Sequence, residues 1–294
     1  MASIDANGIT LEYDTFGDAG DRPLLLVMGL GAQMTRWRPE FCGLLADAGH
    51  FVIRFDNRDI GLSHKFEDAG VPDMAQIFMQ AQAGEPVTAP YTLDDMADDA
   101  VGLLDALDIE RAHVCGASMG GMIVQTMAVR HAPRLRSMVS IMSSTGNPDL
   151  PKSTPEATAA LLSPAGKTLE EVLERAVSIA RVIGSQAHLD DAEAIIARAK
   201  ADFERSFYPV GVARQMAAIA ASGNRRPHLA SVTTPTLVIH GKDDPLVPVA
   251  GGIDTHEAIA GSRLALFDGM GHDLPEPLWP EIVRHISEHT GQHH

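Results

Sequence analysis

Residues 114–121 read Val-Cys-Gly-Ala-Ser-Met-Gly-Gly, and the glycines flanking the single serine narrow the backbone paths open to this chain. Residues 112–115 are apolar and β-prone, while 119–130 suit a helix. A strand that turns into a helix at one residue forces that residue to a positive φ, and the residues two before and two after it must be small. Gly116 and Gly120 meet that demand, which leaves Ser118 at the strained apex with its hydroxyl lifted clear of the sheet. The helix dipole and the free N–H groups of the first helical turn then face whatever the hydroxyl engages.

Elsewhere the chain alternates strand and helix patterns, which predicts an α/β fold with a mostly parallel sheet flanked by helices. Strands are expected at 9–16 (an antiparallel start, with Asn7-Gly8 as its turn), 24–28, 50–55, 112–115, 138–142, 236–241 and 263–267. Helices are expected at 37–48, 93–107, 119–130 and 252–259. The rhythm breaks between 144 and 227, where helical patterns at 169–183, 191–203 and 210–220 follow one another with no strand between them. We therefore expect a core made of residues 1–144 and 227–294, with 145–226 as an inserted helical cap.

A serine hydroxyl becomes a useful nucleophile only when a base takes its proton and a carboxylate orients that base. Of the thirteen histidines, His272 stands apart, because it follows the last strand in the loop Gly269-Met270-Gly271-His272. His64, His256, His285 and His289 lie among polar or helical residues and read as solvated, and His113 lies in the strand that feeds the serine turn. The expected acid lies in the loop after the 236–241 strand, at the carboxyl edge of the sheet where such folds keep their sites. Asp243 and Asp244 both stand there, and the residues alone do not separate them.

Other features read more plainly. Residues 56–63, Asp-Asn-Arg-Asp-Ile-Gly-Leu-Ser, read as a surface loop, and Asp94, Asp95, Asp98 and Asp99 as one solvated helix face. No compact metal-ligand spacing appears, and Gly29-Leu30-Gly31 lacks the third glycine of a dinucleotide fingerprint, so neither metal nor cofactor is expected. A net charge of −16 disfavours nucleic acid and anionic membrane surfaces as partners. Two cysteines are too few for a disulfide framework, no apolar run is long enough to span a membrane, and no signal peptide is visible. The expectation is a cytoplasmic monomer or homodimer acting on a small molecule.

Taken together the chain resembles the serine α/β-hydrolases, and within them the actinobacterial esterases that include the aclacinomycin methylesterase and mycobacterial LipG-type lipase/esterase groups. The resemblance rests on residues 24–31 (LLLVMGLG), 55–63 (FDNRDIGLS), 91–99 (YTLDDMADD), the serine turn, 240–248 (HGKDDPLVP) and 269–272 (GMGH). It implies an eight-stranded sheet and hydrolysis of carboxylic esters through an acyl-enzyme. It also implies that the acid is the third residue after the glycine of the His240-Gly241 pair, which is Asp244. The oxyanion donors it implies are the backbone N–H groups of Leu30 and Met119. Thioesterase, lactonase and perhydrolase chemistry use the same constellation, and some members of the fold serve as ligand receptors.

Overall fold

The computed structural model describes residues 1–293. The chain runs β1 (Ala2–Ala6), β2 (Ile9–Phe16), β3 (Arg22–Val27), α1 (Pro39–Asp47), β4 (His50–Phe55), α2 (Met74–Ala83), α3 (Leu93–Ala106), β5 (Ala112–Ala117), α4 (Met119–Arg130) and β6 (Leu135–Ile141). Five helices come next: α5 (Pro155–Leu161), α6 (Leu169–Ile183), α7 (Ala192–Arg205), α8 (Pro209–Ser222) and α9 (Arg226–Leu229). The sheet then resumes with β7 (Thr236–Gly241), α10 (Ala250–Ala258), β8 (Arg263–Phe267) and α11 (Trp279–Gly291). The eight strands lie in the order β1-β2-β4-β3-β5-β6-β7-β8. The β1–β2 and β2–β4 pairings are antiparallel and all the others are parallel.

Central strands of a parallel sheet are buried on both faces, which is why β3 carries an uninterrupted apolar run at its end. Leu25 and Val27 point to the face covered by α3 and α4, where they join Ile53, Val114, Leu103 and Ile123. Leu24 and Leu26 point to the other face and meet Phe41 and Leu45 of α1 and Ile282 and Ile286 of α11. Between β3 and β5 the connections diverge to opposite sides of the sheet, which opens a crevice at their carboxyl ends. Val27 is aligned with Gly116, so the chain leaves both strands side by side at that crevice.

Of the helices between β6 and β7, α6 buries no residue fully, whereas α8 buries Gly211, Arg214, Gln215, Ala217 and Ala218. The footing of these helices corrects the expectation of a surface loop at 56–63. Asp56, Asn57, Arg58 and Asp59 are all buried, because α7 and α8 lie over them and bring their own charges. Arg214 pairs with both carboxylate oxygens of Asp59, at 2.8 and 2.9 Å, and Arg205 meets Asp56 at 2.7 Å. Burial alone would raise the Asp59 pKa, but the Arg214 guanidinium, the Phe66 N–H and the Tyr91 hydroxyl outweigh it and hold the carboxyl below its ordinary range.

Two further expectations are corrected. Asp99 is not on a solvated face: it is buried and receives two hydrogen bonds from Arg58, at 2.6 and 2.7 Å. Asp94, Asp95 and Asp98 remain on the outer side of α3, and Asp95 closes the helix's capping box with Thr92. His289 is buried against the sheet, 3.3 Å from the Pro235 carbonyl, and burial pushes its pKa down to about 4. An α11 packed by Trp279, Ile282 and Ile286 brings that histidine inward one helical turn later.

Candidate active site

Ser118 has φ 56° and ψ −119°, a conformation that L-residues seldom hold. The glycines around it are required by contact as well as by turn geometry. A Cβ on Gly116 would strike the Gly120 carbonyl, one on Gly120 would strike the Val27 carbonyl, and one on Gly121 would strike the Ser143 side chain. The strained serine is held from both sides: its N–H donates to Ile141 O at 2.9 Å, and its carbonyl accepts from Ser143 Oγ at 2.8 Å.

The histidine arrives on the loop after β8. His272 Nε2 lies 2.9 Å from Ser118 Oγ, and its Nδ1 lies 2.7 Å from Asp244 Oδ2. A carboxylate can only accept, so Nδ1 carries the proton and the Nε2 lone pair faces the serine hydroxyl. Asp244 is anchored through its other oxygen, which accepts from the Leu246 and Val247 N–H groups, each at 2.9 Å. Asp243 turns the opposite way and accepts from Gly269 N–H at 2.8 Å, which ties the acid loop to the histidine loop.

Supporting residues that the sequence reading passed over are now visible. His240 is buried and its Nε2 donates to Val247 O at 2.8 Å, bracing the turn that carries Asp244. Burial lowers the His240 pKa and favours the neutral ring in that position. The end of α6 clasps the histidine loop: His272 N–H donates to Ile183 O at 2.7 Å, and Gly271 N–H donates to Ser185 Oγ at 2.8 Å. Ser185 in turn donates to Asp273 through its N–H, at 3.1 Å to each oxygen, and through its hydroxyl. Asp273 follows His272 directly, and that adjacency was the only local signal it offered.

Backbone of a second loop also lies close to Ser118. A Cβ on Gly29 would stand 3.1 Å from Ser118 Cβ and 3.6 Å from its Oγ, so the loop after β3 lies against the serine. Among the described residues, neither the Leu30 nor the Met119 N–H has a hydrogen-bond partner. An unpaired backbone donor close to a hydroxyl can receive negative charge that develops on a substrate oxygen. No cluster of three metal-ligating side chains occurs among the described residues. Met34 is buried packing and Ile219 packs against the core. An open apolar groove of about 770 Å³ runs between α6 and α7, apart from Ser118, Asp244 and His272.

Comparison with known proteins agrees with this architecture. A family model described as the alpha/beta hydrolase fold matches residues 22–276. Rhodomycin D methylesterase from Streptomyces sp. (strain C5) is 30% identical, over 98% of this chain and 97% of the relative. 3-Oxoadipate enol-lactonase 2 from Acinetobacter baylyi is 28% identical, over 90% of this chain and 88% of the relative. The crystal structure of the enol-lactonase from Burkholderia xenovorans LB400 superposes with a TM-score of 0.75 at 22% identity, covering 99% of this chain and 100% of that one.

Proposed function

The chain belongs to the alpha/beta hydrolase family, and from that membership we propose that it hydrolyses carboxylic esters through a covalent acyl-serine. The observation that carries this reading is the unbroken Asp244–His272–Ser118 arrangement, at 2.7 and 2.9 Å, with the Leu30 and Met119 N–H groups unpaired among the described residues. Ser118 Oγ attacks the acyl carbon while His272 Nε2 takes its proton. Asp244 holds the imidazole in the required tautomer and stabilises the imidazolium. The carbonyl oxygen becomes an oxyanion and is met by the Leu30 and Met119 N–H groups, backbone dipoles that stabilise the charge as it forms. His272 then gives its proton to the departing alcohol and activates the water that releases the acid.

The rhodomycin D methylesterase relative supports a methyl ester as the first substrate to test, and the enol-lactonase relative supports a lactone, the cyclic form of the same bond. The helical insert acts as a cap whose inner residues select the acyl and alcohol groups. A panel of p-nitrophenyl acetate, a methyl ester, a lactone and an acyl thioester measures the preference. A fluorophosphonate should add once, at Ser118, and Ser118→Ala should lower ester turnover by ~10³-fold or more. Labelling at a different serine, or near-normal turnover by the variant, would sink the assignment.

A further inference from the structure

We propose that Gln215, on α8 of the helical insert, is a positioning residue for the oxyanion site: it locks the turn that presents the Leu30 N–H beside Ser118. The use of that turn rests on the ester-hydrolase reading above; the way the turn is held rests on geometry. Gly29 to Ala32 form a tight turn in which Ala32 N–H donates to the Gly29 carbonyl at 3.3 Å. Gly31, its third residue, has φ 67°, the sign that a type II turn requires there. In a type I turn the central peptide, Leu30–Gly31, is rotated by roughly 150° and its N–H, that of Gly31, points away from where it now lies, while the Leu30 N–H belongs to the Gly29–Leu30 peptide that the turn's closing bond holds.

Gln215 favours the observed state. Its Oε1 accepts from the Gly31 N–H at 2.9 Å, a bond that the rotated peptide cannot make. The amide is itself held the right way round, because its Nε2 donates to the Arg58 carbonyl at 2.9 Å. Flipping it would set donor against donor and acceptor against acceptor, and Gln215 is fully buried, out of reach of compensating solvent. The Met28–Gly29 peptide, at the start of the turn, is held separately, by Asn57 Nδ2 donating to the Met28 carbonyl at 2.9 Å. Helix α8 also lies directly on the turn: a Cβ on Gly31 would stand 3.2 Å from Val212, which would have to give by a few tenths of an ångström, and the positive φ itself favours glycine there.

The three peptides leading from β3 past Ser118 are therefore fixed by the core, by the turn's own bond and by the insert, in that order. The Leu30 N–H lies in the second of these, Gly29–Leu30, whose carbonyl takes the 3.3 Å bond from Ala32. Without the Gln215 bond at Gly31 the turn opens more readily, that closing bond is lost for part of the time, and the Leu30 donor is no longer fixed. Complete loss of one oxyanion donor costs ~10²–10³ in kcat, so a loosened donor should cost about 10- to 100-fold.

The test replaces the amide with a side chain of similar length and no strong acceptor, Gln215→Met. It compares kcat and KM for p-nitrophenyl acetate, inhibition by a trifluoromethyl ketone that forms an oxyanion on the serine, and the rate of fluorophosphonate labelling at Ser118. The expected result is a kcat lower by about 10- to 100-fold with KM within about threefold. Ketone affinity and labelling rate should fall by a similar factor. A folded variant that labels at the wild-type rate overturns the proposal, and so does a loss of kcat with unchanged ketone affinity, because a merely structural change lowers the active fraction instead. Should Gln215→Met fail to fold, Gln215→Ala, which leaves room for repacking, is read by the same two criteria. A wild-type protein that is labelled at Ser118 yet hydrolyses no ester in the panel would instead sink the ester reading, and the labelling rates would still decide the role of Gln215.

Discussion

Asp243 and Asp244 leave the backbone one residue apart, so their side chains diverge and take up different tasks. Asp244 faces His272 and is satisfied by two backbone N–H groups on its far side, while Asp243 holds Gly269. Asp244→Asn should lower kcat by ~10²–10⁴, because an amide can donate to Nδ1 and so select the wrong tautomer. Asp243→Asn should cost under about tenfold, since an amide oxygen can still accept from Gly269. Steady-state kinetics on one ester separate the two, and reversed effects would make Asp243 the orienting carboxylate.

At the scale of elements, the turn from β5 into α4 is the most tightly constrained part of the chain. Three glycines admit α4 to the carbonyl ends of β3 and β5, and each is opposed by backbone or by a short, stiffly held side chain. Gly120→Ala must displace the Val27 carbonyl, which belongs to the strand that leads to the Gly29–Ala32 turn. Overpacking of this kind costs ~1–3 kcal/mol where side chains can yield, and backbone yields less readily. We expect a urea midpoint well below wild type for Gly120→Ala and none of this effect for Gly20→Ala, where a Cβ meets nothing within 4 Å. Equal midpoints would mean that α4 does not approach β3 as described.

Across the whole molecule, the core holds histidines that must stay neutral. Burial pushes His113 down to about 3 and His289 down to about 4, from an ordinary 6.5. His113 lies on β5, its Nδ1 2.8 Å from Ser137 Oγ and its Nε2 without a partner among the described residues. The unfolded chain takes up protons below pH 6.5 and the folded chain does not until near these lower values, so stability is full above 6.5 and is lost as pH falls. At pH 5 each such histidine should cost about 2 kcal/mol relative to pH 7.5. Urea unfolding at the two pH values should show this, and His113→Asn, which keeps a donor for Ser137, should flatten the slope. A midpoint insensitive to acid would contradict the burial of these rings.

The sequence by itself determined the elements whose shape is set locally. Sterics around Gly116, Ser118 and Gly120 dictate a strand–turn–helix unit, and apolar periodicity places α4, α6, β7 and β8 at the residues it predicts. Ser118 and His272 were legible because each sits in a glycine-flanked turn at the end of a strand. Asp244 was legible only through resemblance, since two adjacent aspartates carry the same local signal. What the tertiary structure alone decided is the fate of charges and amides whose partners lie far away in the chain. Asp59 is buried because Arg214 reaches it from 155 residues further on, and Gln215 meets Gly31 from 184 residues away. The desolvation cost of such a group is offset or not according to what the fold brings to it, and no window of neighbouring residues contains that partner.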